Sequence, residues 1–295
     1  MYSRSSPITF VHTLPACYID LSVVKALTHA AIETKQRLRI EWIASSDLLS
    51  VGDKSSSKAW ERLRQADGVV VPGGFGASEF CMKCFADHFV LISLIFLSGG
   101  LEGKIAAISF ARKEKIPFLG ICLGMQAAVI EYRRSVLGKQ KSNSAEFKDD
   151  LREGDDDVII FMPEGDKERM GGTMRLGARE TILKENSIAQ KLYGRTRIME
   201  RHRHRYEVNP KMVDELESAG LKFVGRNMDA STTGDERMEV VELSEDDHPY
   251  FIAAQFHPEF MSRPGKPSPF FKGLLCASKV LATKKKNSSV DDQHK

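Results

Sequence analysis

The chain has 295 residues, 42% of them hydrophobic, with a formal net charge of +3; this is enough for one large core or two small ones and excludes a whole-molecule polyanion binder. Five cysteines at irregular spacing (Cys17, Cys81, Cys84, Cys122, Cys276), with no basic leader ahead of an apolar core, exclude a paired disulfide framework and make a reducing, cytoplasmic setting the expectation. The most apolar run, Phe89 to Leu97, is well short of the roughly 20 residues that span a bilayer, so no membrane partner is expected.

In chain order, Ile8-Thr9-Phe10-Val11 is either a first strand or part of an irregular segment. Leu21 to Arg37 has helical periodicity, with Val24, Leu27, Ala31 and Ile32 on one side. Leu38 to Ile43 alternates as a strand does, and Trp60 to Ala66 reads as a short helix. Asp67-Gly68-Val69-Val70-Val71 is a turn feeding a buried strand, which ends in the loop Pro72-Gly73-Gly74-Phe75-Gly76. A helix over Leu101 to Lys115, a strand over Ile116 to Ile121 and a helix over Met125 to Ser135 follow. The alternation predicts an α/β unit with a parallel sheet, whose sites lie at the carboxyl ends of its strands. In the second half, Val158 to Met162, Ile198 to Val208, Phe223 to Gly225, Met238 to Leu243 and Tyr250 to Phe256 are expected strands, some antiparallel. Val213 to Ala219 is an expected helix. The polar tail from Lys284 onward is expected to be disordered.

The chemistry centres on Gly120-Ile121-Cys122-Leu123-Gly124, a strand-to-helix bend with a nucleophile between two glycines. Such a bend exposes the side chain at the sheet's carboxyl edge and sets the sulfur at a helix N-terminus, where thiolate is favoured. A cysteine nucleophile needs a base, and the base needs a group to fix its tautomer. In His257-Pro258-Glu259 the proline biases His257 to an extended conformation, so imidazole and carboxylate can converge. The backbone N–H groups of Leu123 and Gly74 are the candidate oxyanion donors.

Six segments then carry a family resemblance. They are Val71 to Gly76, Gly120 to Gln126, Asn143-Ser144-Ala145-Glu146-Phe147, Gly171-Gly172-Thr173-Met174-Arg175-Leu176-Gly177, Arg201 to Pro210 and Gln255 to Phe260. Together they resemble the glutaminase domain of the CTP synthases, a class I (triad) glutamine amidotransferase. The resemblance runs from about Leu21 to about Ala282. It implies a flavodoxin-like α/β fold, a mostly parallel sheet flanked by helices, with antiparallel strands in the C-terminal half. It also implies that Cys122 attacks the glutamine side-chain amide, His257 moves the proton and Glu259 orients His257. Glu146 would hold the α-ammonium of L-glutamine and Arg205 its α-carboxylate, with Gly74, Leu123, Gly124, Met125 and Gln126 lining the pocket. No metal site is implied in this chain. ATP, UTP and Mg2+ would serve a synthetase (amidoligase) domain, GTP would activate the full enzyme, and the full-length enzyme would be a homo-oligomer.

Three departures qualify the resemblance. Nothing matches the amidoligase domain, so the chain is expected to supply ammonia without making CTP. Residues 1–20 replace the family's recognisable first strand. Ala77 to Gly99 interrupts the glycine loop and reads either as a translated intron or as a short hydrophobic helix on the sheet. Rival readings are a catalytically impaired module that assembles with full-length synthase, and a γ-glutamyl peptidase-like cysteine hydrolase. The run Arg201-His202-Arg203-His204-Arg205, without interleaved aromatics, reads as a strand with its arginines on one face rather than as a nucleic-acid surface. Gly99-Gly100-Leu101-Glu102-Gly103-Lys104-Ile105 lacks the first glycine and the hydroxyl of a phosphate-binding loop. Cys81-Met82-Lys83-Cys84 lacks the second pair that a zinc site needs.

Overall fold

The strand left open at the start of the chain exists. In the computed structural model, which describes residues 6–12, 19–49, 58–73, 100–146, 156–162, 174–228 and 236–291, β1 (Ser6–His12) lies between two parallel neighbours. It pairs with β2 (Leu38–Ala44) along its whole length and with β3 (Gly68–Val71) through Ile8, Thr9 and Phe10. The backbone groups of β2 and β3 that would otherwise face nothing are therefore paired. The expectations for Gly74, the 77–99 stretch, Cys81, Cys84 and Gly171-Gly172-Thr173 lie outside the described residues.

Among the described residues the main sheet continues through β4 (Phe118–Ile121) and β12 (Phe251–Ala254), both parallel to β3. It then reverses. β11 (Glu236–Glu242), β10 (Lys222–Met228), β7 (Arg175–Leu183) and β8 (Arg197–His204) follow as antiparallel neighbours. β7 is unannounced in the sequence because its Arg-Leu-Gly-Ala-Arg-Glu run lacks an apolar period; pairing with β8 is what makes it a strand.

Helices cover both faces, as the strand alternation requires. Val69, Val71 and Phe118 face α2 (Lys58–Gln65), α3 (Gly100–Lys113), α4 (Leu123–Ser135) and α6 (Val213–Ser218). Val70, Leu119, Ile252 and Ala254 face α1 (Ile19–Glu33), α5 (Ile188–Tyr193) and α7 (Pro269–Asp291). The last helix corrects one expectation. The tail from Lys284 is helical to Asp291, and Lys285 Nζ donates to the Ala66 carbonyl oxygen at 2.8 Å, fastening it to the turn before β3.

A second correction concerns Ile198 to Val208, which is two strands. At Arg205 the chain leaves the main sheet, and β9 (Tyr206–Val208) joins a small sheet with β6 (Asp156–Phe161) and β5 (Ser142–Ser144). The cause is a change of partner, from β7 to β6, with Met162 N–H donating to the Arg205 carbonyl oxygen at 3.0 Å. The corner sets Arg205 and Glu146, two residues beyond β5, at neighbouring ends of the small sheet.

The bend at β4–α4 depends on two glycines. A Cβ on Gly124 would lie 2.1 Å from the Val71 carbonyl oxygen, and one on Gly120 would lie 2.8 Å from Ala253 Cβ. Helix propensity alone favours alanine over glycine at position 124 by about 1 kcal/mol, but the clash is with backbone. Gly124→Ala should therefore lose about 1–3 kcal/mol of stability, measured as a lower denaturant midpoint; an unchanged or higher midpoint would contradict this packing.

Candidate active site

Cys122 occupies the bend itself, with φ 54° and ψ −106°. A non-glycine residue at positive φ is strained. Here it is held from both sides: its N–H donates to the Ala254 oxygen at 2.7 Å, and its oxygen accepts from Met125 N–H at 3.0 Å and Gln126 N–H at 3.2 Å. The N–H groups of Leu123 and Gly124 lie ahead of these first helical bonds and are the ones left to face an anion. Gly73 closes the other side. A Cβ there would meet His257 Cε1 at 3.0 Å and Cys122 Cβ at 3.2 Å, so β3 brings bare backbone against both side chains.

His257 follows β12, and its N–H donates to the Arg201 carbonyl oxygen at 2.8 Å, tying it to β8. Its Nδ1 is 2.7 Å from Glu259 Oε1, although the two reach each other across a 3-10 turn (Pro258–Met261) rather than along an extended segment. Both are buried. Burial opposes charge on the ring, but the Glu259 carboxylate and Cys122 outweigh it and raise the His257 pKa to about 10. Nε2 makes no hydrogen bond of ordinary geometry, and Cys122 is the side chain that faces the ring opposite Glu259 closely enough to add to the shift. The arrangement can hold a proton beside a sulfur nucleophile at neutral pH.

The remaining expected residues divide into two sets. Burial raises the Glu146 pKa, while Arg205 and Lys104 pull it down, so these three charges share one environment. Lys104 is itself buried, and a Cβ on Gly103 would strike the Ser45 carbonyl oxygen at 1.9 Å. Gly103-Lys104 is thus packed helix and offers no open cradle for a phosphate. The Gln126 side chain is held by two hydrogen bonds: its nitrogen donates to the Tyr206 oxygen at 2.9 Å and to Gln255 Oε1 at 3.2 Å. Met125 is fully buried in the core, so it contributes backbone at most.

Sequence reasoning gave no role to Gln255 or to the histidines of the Arg-His run. In β8 the pattern alternates, with Arg201 and Arg203 exposed and His202 and His204 buried. His202 Nδ1 lies 3.1 Å from His204 Nε2 and 3.5 Å from Glu239 Oε2, a set of atoms that could ligate a metal ion. Charge argues otherwise: Arg175 Nη2 is 3.1 Å from Glu239 Oε1, and Arg237 adds a second nearby guanidinium. A dication would have to enter beside both. Burial, then the neighbouring cations, hold both imidazoles below their ordinary pKa, His204 at about 3. Burial raises Glu239 to about 7 against the pull of Arg175 and Arg237.

The sequence pattern of the family described as "Glutamine amidotransferase class-I" matches residues 17–277. The chain belongs to that family. It is 49% identical over 263 residues to CTP synthase 1-B of Xenopus laevis, covering 87% of this chain and 39% of that protein. It is 46% identical over 266 residues to CTP synthase 1 of Saccharomyces cerevisiae, covering 88% and 41%. The solved glutaminase domain of Trypanosoma brucei CTPS with bound acivicin superposes with a TM-score of 0.75 at 33% identity, covering 93% of this chain and 94% of that one. Within the class I amidotransferases the chain thus falls with the CTP synthase glutaminase domains, and it spans about two fifths of the length of the curated relatives it matches. No helix among the described residues is long and apolar enough to cross a membrane.

The His257–Glu259 contact has a consequence for pH. His257 binds its proton more tightly folded, at about 10, than at the unfolded value of 6.5. Its contribution to stability is full below pH 6.5 and disappears as pH rises to about 10. Glu259→Gln removes the anion, so the variant should show a shallower fall in stability between those limits, measured by denaturation across the range. An equally steep fall would separate Glu259 from the shift.

Proposed function

We propose that this amidotransferase hydrolyses L-glutamine to glutamate and ammonia through Cys122, His257 and Glu259. The observation that carries the reading is the His257–Glu259 hydrogen bond beside a cysteine held strained at a helix N-terminus. Cys122 Sγ attacks the side-chain carboxamide carbon, and the C–N bond breaks as His257 gives its proton to the departing ammonia. The resulting glutamyl thioester is cleaved by water, which yields its proton to His257. Glu259 keeps Nδ1–H in place through both steps. The oxyanion is received by backbone N–H groups at the start of α4, Leu123 first.

Glu146 and Arg205 suit a zwitterion. A carboxylate faces the α-ammonium, and a planar guanidinium can take the α-carboxylate with two parallel hydrogen bonds. The ammonia would serve amination of UTP to CTP, with ATP and Mg2+, in a synthetase domain of the longer, homo-oligomeric protein and under activation by GTP. The relatives' names support CTP synthesis as the destination of the ammonia, and their lengths support a longer protein around this domain.

The chain given glutamine should release glutamate slowly, and Cys122→Ala should reduce release to the uncatalysed background. Measured by coupled glutamate oxidation, undiminished release in Cys122→Ala would remove Cys122 from the mechanism. Arg205→Lys keeps the charge but loses the fork, and should raise KM about tenfold or more with a smaller effect on kcat.

A further inference from the structure

The two glutamines packed behind the thiol have a fixed order of donors and acceptors. A backbone oxygen can only accept, so the Gln126 side-chain atom 2.9 Å from the Tyr206 oxygen is nitrogen. The second hydrogen of that nitrogen is directed at Gln255 Oε1, 3.2 Å away. With its oxygen taken, Gln255 presents nitrogen on the other branch of its amide, and that nitrogen lies 3.7 Å from Cys122 Sγ. Both glutamines are buried, at 3% and 1% exposure, so water is a poor substitute for either partner.

We propose that Gln255 acts directly on the nucleophile: its side-chain N–H, aimed by Gln126 and Tyr206, donates to Cys122 Sγ and favours thiolate over thiol. A thiol sulfur is a weak acceptor and leaves a buried amide hydrogen poorly satisfied, whereas a thiolate is a strong acceptor. Ionisation therefore completes the amide chain. The competing contact is the Arg203 carbonyl oxygen, 3.8 Å from Sγ, which can accept only from the protonated thiol. Sulfur thus sits between a donor that stabilises its charge and an acceptor that stabilises its proton, and Gln255 supplies the donor. Among the described residues the ionisable group that acts on the sulfur is His257, with Glu259 behind it; His202, His204 and Arg175 on β8 and β7 interact with one another, and His257 acts on both of those histidines. Gln126 is then a positioning residue, acting through Gln255.

This inference rests on Cys122 being the nucleophile, and its test does not use glutamine. The full chain, Gln255→Leu and Gln255→Glu are treated with iodoacetamide from pH 5 to 10. Alkylation of Cys122 is read by mass spectrometry of its own peptide, so that the exposed Cys276 does not interfere. In Gln255→Leu the midpoint should rise by on the order of one pH unit, about tenfold slower alkylation below it. Gln255→Glu keeps the shape and the bond from Gln126 but turns oxygen to the sulfur, so its midpoint should rise further. An unchanged midpoint in either folded variant overturns the proposal; if Gln255→Leu does not fold, Gln255→Glu decides. Glutamine hydrolysis that survives Cys122→Ala would overturn the functional reading while leaving the alkylation shifts to be judged separately.

Discussion

The structure depends on the contact between the Cys122 bend and bare backbone. Gly124 touches the Val71 carbonyl oxygen, Gly120 packs against Ala253 and Gly73 lies against both Cys122 and His257. Three neighbouring strands, β3, β4 and β12, can therefore meet at one point without side chains between them. That closeness holds Cys122 at positive φ and delivers His257 from the next strand. Strain at Cys122 is sustained because parallel pairing on both sides over-determines the path of β4.

From that point outward, each layer supplies one chemical property. The helix dipole and the first N–H groups of α4 favour negative charge at the sulfur and at an oxyanion. Glu259 gives His257 a high affinity for a proton despite burial, so charge pairing outweighs desolvation at this ring. At His202 and His204 the balance is reversed: burial and nearby arginines keep the rings neutral, and they serve as packing and hydrogen-bonding groups under the exposed arginines of β8. Two kinds of buried histidine thus lie close together: His257 holds the Glu259 carboxylate at 2.7 Å, whereas the carboxylate nearest His202, Glu239 at 3.5 Å, is itself raised to about 7 by burial and is shared with Arg175.

The small sheet completes the site by changing the partner of one strand. If Ile198 to Val208 continued as a single strand, Arg205 would prolong the outward row of Arg201 and Arg203. The break at Arg205 brings it into the environment of Glu146 and the buried Lys104. The relation between β5 and β9 thus makes one charged cradle from residues 59 positions apart in sequence, the separation of Glu146 and Arg205.

The sequence by itself determined the α/β alternation, the glycine-flanked bend and the His-Pro-Glu segment, because hydrophobic periodicity and glycine steric freedom are local properties. Tertiary structure alone decided that Ser6–His12 is a paired strand, that β7 is a strand and that the chain changes sheets at Arg205, since pairing partners are distant in sequence. It also decided the order of the Tyr206, Gln126, Gln255 and Cys122 amide chain. Each of those residues is unremarkable alone. Only their convergence on one buried sulfur, where a carbonyl oxygen fixes the sense of every hydrogen bond, gives Gln255 something to do.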